Sequence, residues 1–515
     1  MGPLKIKFSF LIICIYALLF IITTTLSVTA VQLENWRFPY YNLAGRLGYY
    51  SPSPSGMFWD DMGPLRDSAV FLDRSIWPDS GRAAQNHWIL EPAGFGAIRN
   101  TNDYFGKNSV LGATLLNDIR YRGFLTRQVV DVDSRYLDDP GFIWVKNRGV
   151  TARISEAFLQ YGFKYGFIRI GRMNRNWGPF ADRSLIVSAN PYSYDGIELC
   201  LHSSLFEFRH LFAAFPNHAL SLDLDTTGAS RYFTAHSLNF LLGRFGSVGI
   251  TESVVFGRKS GFPDLQYVNP VSVYFVNNTT GDGVGNLMEA LQWNLHPFTD
   301  KVSIKGQLLI DDIQIDNNGP GDQKPNHWGT DLGVFWSDFL PFSLPHALSL
   351  EYRFLSRWVY TVSDDNTAIG ERYTYLGKSL GFPTDDGDSA NLSFTIAGKN
   401  YWASQAGLSY KRQGQGTVMS VWHDDSLFRA DSSKYARGAL GYRTEPSIPS
   451  GIVESAFDFY INLIGYYKNF VDVQATLHNR WVTNKGHVVS SLTYDPQIAV
   501  TLGLHYGNFF IKLPR

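Results

Sequence analysis

From Val302 to Asp311 the chain reads Val-Ser-Ile-Lys-Gly-Gln-Leu-Leu-Ile-Asp, apolar and polar residues taking turns over ten positions. Successive side chains of a strand point to opposite faces, so this run has one face for water and one for lipid or a core. The same period returns at Ile197 to His202, Leu348 to Phe354, Val471 to His478 and Ile498 to Tyr506. A strand that crosses a bilayer needs about nine to eleven residues at a tilt, with lipid-facing and lumen-facing residues alternating. After Ala30 no segment is long and apolar enough for a membrane helix. A membrane-spanning form of this chain is therefore a closed barrel, in which every backbone group finds a partner.

Met1 to Ala30 has the plan of a cleaved signal peptide: Lys5 and Lys7, an apolar stretch from Phe8 to Ile22, then a polar run ending Val28-Thr29-Ala30. A signal anchor is the competing reading. The break at Thr23 to Thr25 and the Val-x-Ala ending favour cleavage. The whole chain of 515 residues has a formal net charge of −1, and losing Lys5 and Lys7 makes it more acidic. Nucleic acid, which demands a basic stripe, is excluded as a partner. Cys14 lies in the signal, which leaves Cys200 alone in the mature chain and rules out an internal disulfide, a redox pair or a cysteine zinc site. Cys200 falls on the polar side of its strand and reads as a small wall residue. Aromatics at 15% and 47 glycines suit the girdles and tight turns of an outer-membrane barrel. A secreted carbohydrate-binding sandwich or propeller has similar composition, so composition alone does not choose.

Three regions follow: a signal peptide at 1–30, an N-terminal periplasmic segment at 31–107 and an outer-membrane barrel at 108–515. The second is rich in proline and poor in alternation, and Gly63 to Arg74 has the spacing of a short helix with Pro64 near its start. In the third, tight turns such as Tyr161 to Gly166 alternate with longer polar connections at Asn277 to Asn286, Asp316 to Gly329, Ser363 to Tyr373 and Phe382 to Asn391. Short turns belong to the periplasm and long loops to the exterior. About four hundred residues at roughly twenty-two per strand and connection supply about eighteen strands. The expected fold is all-β: a transmembrane antiparallel barrel with a small irregular or helical periplasmic lead. After Phe509-Phe510 the chain runs on to Arg515, a departure from the aromatic ending of many barrels, and a short tail is expected.

The most distinctive text is Glu156 to Tyr161, then Phe167-Ile168-Arg169-Ile170-Gly171-Arg172, Asn176-Trp177-Gly178-Pro179 and Ser184 to Asn190. This resembles the Wzi-like capsule-assembly family of outer-membrane proteins, in which a Gly-Arg strand end precedes a Trp-Gly-Pro turn and a Ser-Leu-x-x-Ser strand. A second patch, Tyr373 to Gly381 followed by Asp385-Asp386-Gly387-Asp388, is similar to that family's Leu-Gly stretch with its acidic loop. The resemblance implies an eighteen-stranded barrel acting as an outer-membrane lectin that holds capsular or other surface polysaccharide. The N-terminal segment matches the family's periplasmic helical region poorly.

Read physically, Arg172, Asn174, Arg175, Asn176 and Trp177 bring guanidinium forks, amides and an indole together at a strand end. Such groups grip uronate carboxylates, bond hydroxyls and stack on sugar rings. The competing reading is a tight turn whose arginines pair with acidic residues across the lumen. A second candidate surface is the loop containing Asp322, Asn326 and Trp328, although a solvated loop of turn formers looks the same. Catalytic patterns fail. Gly377-Lys378-Ser379-Leu380-Gly381 matches the nucleophile-elbow string but has no following helix, and Asp385 to Asp388 lacks the spacing of an EF-hand. The chain is thus expected to be a non-enzymatic binder with no catalytic residue, metal or cofactor. Its expected partners are surface polysaccharide, outer-membrane lipid and lipopolysaccharide, and the barrel-assembly machinery; a monomer is expected. A porin or solute channel stays open as the alternative, with Arg172, Arg244 and Glu351 as candidates for a charged ring around open water.

Overall fold

Seen in a computed structural model, the described residues are 87–512 apart from 100–108, 138, 140–141, 143–150, 181–182, 216–229, 260, 281–284, 300, 314–325, 342, 363–368, 399–401, 421–447, 468–470, 491 and 506–508. The proposed signal peptide and the expected Gly63 to Arg74 helix lie outside them.

Eighteen antiparallel staves form one sheet. They are β1 (His87–Arg99), β2 (Ser109–Tyr121), β3 (Phe124–Asp133), β4 (Ala152–Phe163), β5 (Gly166–Met173), β6 (Tyr194–His202), β7 (Phe206–Phe215), β8 (Ser230–Leu241) and β9 (Gly246–Arg258), followed by β10 (Asn286–Leu295), β11 (Val302–Asp312), β12 (His327–Ser337) and β13 (His346–Leu355). A two-stranded hairpin, β14 (Thr374–Tyr375) and β15 (Lys378–Ser379), stands apart from the wall. The wall resumes with β16 (Gly387–Gly398), β17 (Trp402–Gln413), β18 (Glu454–Tyr467), β19 (Val471–Thr483) and β21 (Gln497–His505). The short β20 (Thr493–Tyr494) edges β19, and β22 (Phe509–Lys512) carries the last stave on. Each stave pairs with the next in sequence, and β1 pairs with both β2 and β21–β22, so the sheet closes on itself. Closure removes the open edge that lipid would leave unpaired.

Every alternating run read from the sequence lies in a stave over its described residues, Tyr506 falling outside them, and alternation decides which way each side chain points. On β5 Arg169 and Met173 are buried in the lumen while Ile168 and Ile170 are exposed outside. On β12 Asp331 and Phe335 face in while Leu332, Val334 and Trp336 face out. The outer wall is therefore apolar and much of the inner wall polar, the inverse of a soluble protein and the pattern of a lipid-embedded barrel. Cys200 is buried on the lumen side, as its parity requires.

The ends differ. Connections such as Arg122-Gly123 and Lys164-Tyr165 are tight, and exposed rings cluster at that end: Phe124, Tyr161, Phe163, Phe206, Phe240 and Trp336. The longer connections, among them 174–193, 259–285, 313–326, 356–386 and 414–453, all leave the opposite end. A second set of rings marks that end, with Trp328 against Phe354 at 4.8 Å and Trp481 against Phe457 and Tyr494. These are the two aromatic girdles of an outer-membrane barrel, and the tight-turn end is periplasmic.

One boundary differs from the sequence reading. Strand β1 lies inside the 31–107 segment that the sequence reading set apart from the barrel. Pro92, Gly94 and Gly96 dilute its alternation, and pairing on both sides supplies what local pattern lacks. The C-terminal run also pairs: Phe509 to Lys512 lie opposite Leu90 to His87 as part of the closing stave.

Candidate functional site

Two long exterior connections turn inward and cross the lumen. The first, Asn174 to Ser193, leaves β5 and reaches the far wall: Arg183 Nε lies 2.9 Å from Asp331 on β12, and its other nitrogen bonds Glu351 on β13. Arg353 also holds Asp331 at 3.0 Å. Gln307 on β11 accepts the Leu185 N–H at 2.8 Å and donates to the Ser184 hydroxyl at 3.1 Å. The apolar run Leu185-Ile186-Val187 is fully buried. A strand-like run that the sequence leaves without a barrel position is thus the centre of the plug.

The second, Ser356 to Asp386, leaves β13 and meets the first. Tyr360 and Tyr373 donate their hydroxyls to the carbonyls of Leu185 and Ile186 at 2.6 and 2.7 Å. The Ser188 N–H donates to Leu380 at 2.7 Å, and the Asn190 amide to Ser379 at 2.8 Å. Arg231 on β8 grips the segment by the carbonyls of Gly370, Arg372 and Thr374. Inside the barrel a cluster including Trp177, Tyr194, Phe215, Phe233, Tyr360 and Tyr373 packs around these contacts. Smaller pieces add to it: Asp139 pairs with Lys378 at 2.9 Å, and Asp386 accepts the N–H groups of Gly416 and Ser450 at 2.8 and 2.9 Å.

Two register shifts in the wall hold these segments. Beside the shift in β3–β4, the Ser155 carbonyl accepts the Ser193 hydroxyl, and Arg153 bonds the Ser193 carbonyl at 2.8 Å. At the β11–β12 shift Asp311 accepts the Tyr360 N–H at 2.9 Å. An extra residue in one strand re-aims side chains, here toward the plug. Next to Arg357, burial and the neighbouring Asp386 charge push the Asp385 carboxyl up to about 8.

The residues singled out by sequence divide three ways. Arg172 lies outside the lumen, paired with Asp195 at 2.6 Å, and Arg244 sits in the tight β8–β9 turn while Glu351 is held by Arg183; the three do not form a ring. Arg175 is buried over the Tyr194 ring and donates to the carbonyls of Met173 and Tyr194. Asn174 and Asn176 donate to the carbonyls of Ala189 and Phe180. Trp177 is only 1% exposed, so its indole has no face for a sugar. Asn174 to Trp177 build the plug, and the pairing across the lumen that the tight-turn reading gave to their arginines is made by Arg183 instead. Trp328 faces the lipid side in the upper girdle, Asn326 precedes it at the rim, and Asp322 lies outside the described residues. Ser379 is buried in the β14–β15 hairpin, its hydroxyl accepting the Gly381 N–H, which is not the setting of an exposed nucleophile.

No protein-family model and no curated protein matches the sequence. Solved structures do match. Wzi, an outer membrane protein involved in group 1 capsule assembly in Escherichia coli and described as a carbohydrate-binding β-barrel, superposes with a TM-score of 0.55 at 10% identity, over 96% of this chain and 100% of that one. In fold the chain is similar to Wzi. Acinetobacter baumannii OccAB4 and Pseudomonas aeruginosa OccD3 match with TM-scores of 0.43 and 0.44 at 9% identity, covering 84% and 83% of this chain and 100% and 92% of theirs. The likeness to Wzi accords with the outer-membrane architecture derived above. The two stretches that resemble the Wzi-like family in sequence are also the two that meet inside this lumen.

Proposed function

We propose that this outer-membrane barrel binds and anchors capsular or other surface polysaccharide at the cell exterior and catalyses no reaction. The observation that carries the proposal is the plug: two exterior connections joined to each other and to opposite walls. A barrel spanned in this way is suited to holding a ligand at its mouth rather than passing solute. The fold likeness to a carbohydrate-binding barrel supports the same reading. The sugar-contacting surface is the exterior end, including the connection that carries Asp322 and Asn326. Asn174 to Trp177, which build the plug, act from below as its support.

The test compares cells with the chain, cells without it, and cells carrying Asp322→Ala with Asn326→Ala, each fractionated into cell-bound and released polysaccharide. Deletion is expected to move polysaccharide into the medium at unchanged total synthesis, and the double variant to do so in part. Equal retention in all three sinks the anchoring reading. Single-channel conductance of the purified barrel then decides whether it is a channel.

A further inference from the structure

A third exterior connection turns outward instead. Between β9 and β10 the chain from Gly261 to Thr280 lies against the outer wall, with two short helical turns at Leu265–Val268 and Tyr274–Thr279. Beneath it the lipid-side face is polar. His210 on β7, His236 on β8, Glu252 on β9 and Glu289 on β10 are cross-strand neighbours in a single row. They share the parity of Phe206, Phe240, Ile250 and Leu291, which are exposed on the outer wall. Glu252 is six residues beyond the periplasmic turn at Gly246. At about 3.3 Å per residue and a tilt near 40° it stands about 15 Å up the wall, within an apolar band about 25 Å tall.

The wall and the connection satisfy each other. Glu252 bonds His236 at 2.8 Å and accepts the N–H groups of Tyr274 and Phe275. Thr234 meets the Tyr267 carbonyl and the Tyr274 hydroxyl, and Tyr232 donates to the Gly261 carbonyl at 2.7 Å. Tyr267 and Tyr274 pack on Tyr232, Val254 and Phe256. The other side of the connection is apolar: Val271 is 80% exposed, and Leu265, Val273, Phe275 and Val276 are exposed with it.

We propose that this connection is a flap embedded in the outer leaflet, its apolar side in contact with lipid acyl chains and its polar side roofing the His-His-Glu-Glu row. Irregular backbone survives at membrane depth only where its polar groups are bonded, and the row supplies those bonds. Continuity with the lipid-facing wall below identifies the occupant as acyl chains rather than a protein. The test uses the full chain with Cys14→Ser and Cys200→Ser, which removes both native thiols, and Val273→Cys or Val271→Cys carrying an environment-sensitive fluorophore. The protein is folded into phosphatidylcholine vesicles. Gel migration with and without heating confirms the closed barrel, and the second position serves if the first does not fold. Lipid brominated on its acyl chains is expected to quench the label, and aqueous iodide to quench it severalfold less than a label at Lys259→Cys. Iodide quenching equal to that control overturns the proposal. So does a label that the brominated lipid leaves unquenched, with crosslinking to a second copy then identifying a protein contact.

Discussion

At the residue scale, buried charge in the lumen is held by counter-charge from another segment. Removing one partner of such a pair costs about 3–5 kcal/mol, because the other stays buried without its mate. Arg183→Ala takes from Glu351 the guanidinium that bonds it and from Asp331 one of two arginines. The plug is expected to loosen while the wall stays closed, read as raised conductance in planar bilayers with unchanged heat-modifiable migration. Asp385 behaves oppositely, because its folded form favours the proton. Its unfolded carboxyl ionises near pH 4 and its folded one near 8, so the native state binds more protons between them and its stability falls as pH rises through that window. Asp385→Asn is expected to remove that slope. Hydrogen exchange of Ser356 to Asp386 should be slower in the variant at pH 8 and equal to the parent near pH 4.

At the element scale, the plug depends on backbones approaching closely. A Cβ on Gly381 would stand 2.4 Å from the Leu185 carbonyl and 2.7 Å from the Tyr360 ring, where both crossing segments touch. Gly381→Ala therefore separates the segments without touching a stave. Single-channel recording should show leak, with assembly unchanged. Gly171 plays the corresponding part in the wall, at φ +129° with a Cβ position 2.2 Å from the Ala157 carbonyl of β4. A side chain there displaces the strand, and the yield of Gly171→Ala in the outer-membrane fraction is expected to fall.

At the scale of the whole molecule, closure is the decisive contact. The lower half of β1 is paired by β22, so ending the chain at His505 frees the backbone of His87 to Leu90 along one edge. An open edge in lipid leaves polar groups unbonded at several kcal/mol each. Truncation is expected to reduce assembled barrel in the outer membrane, measured as loss of the compact gel band.

Alternation determined that the chain makes staves and which side chains share a face, and chain length determined roughly how many staves there are, because strand period and bilayer thickness are local constraints readable from any ten residues. The sequence also marked both plug segments as distinctive text, Asn176 to Asn190 and Tyr373 to Gly381. Only the tertiary structure decided what those segments do. Arg183 meets Glu351 across 168 positions of chain, and no local pattern records a contact that barrel closure creates. For the same reason the sequence left Trp177 open between a stacking platform and a tight turn, and the structure makes it a buried strut. The weak alternation of β1 hid a stave that its neighbours on both sides secure.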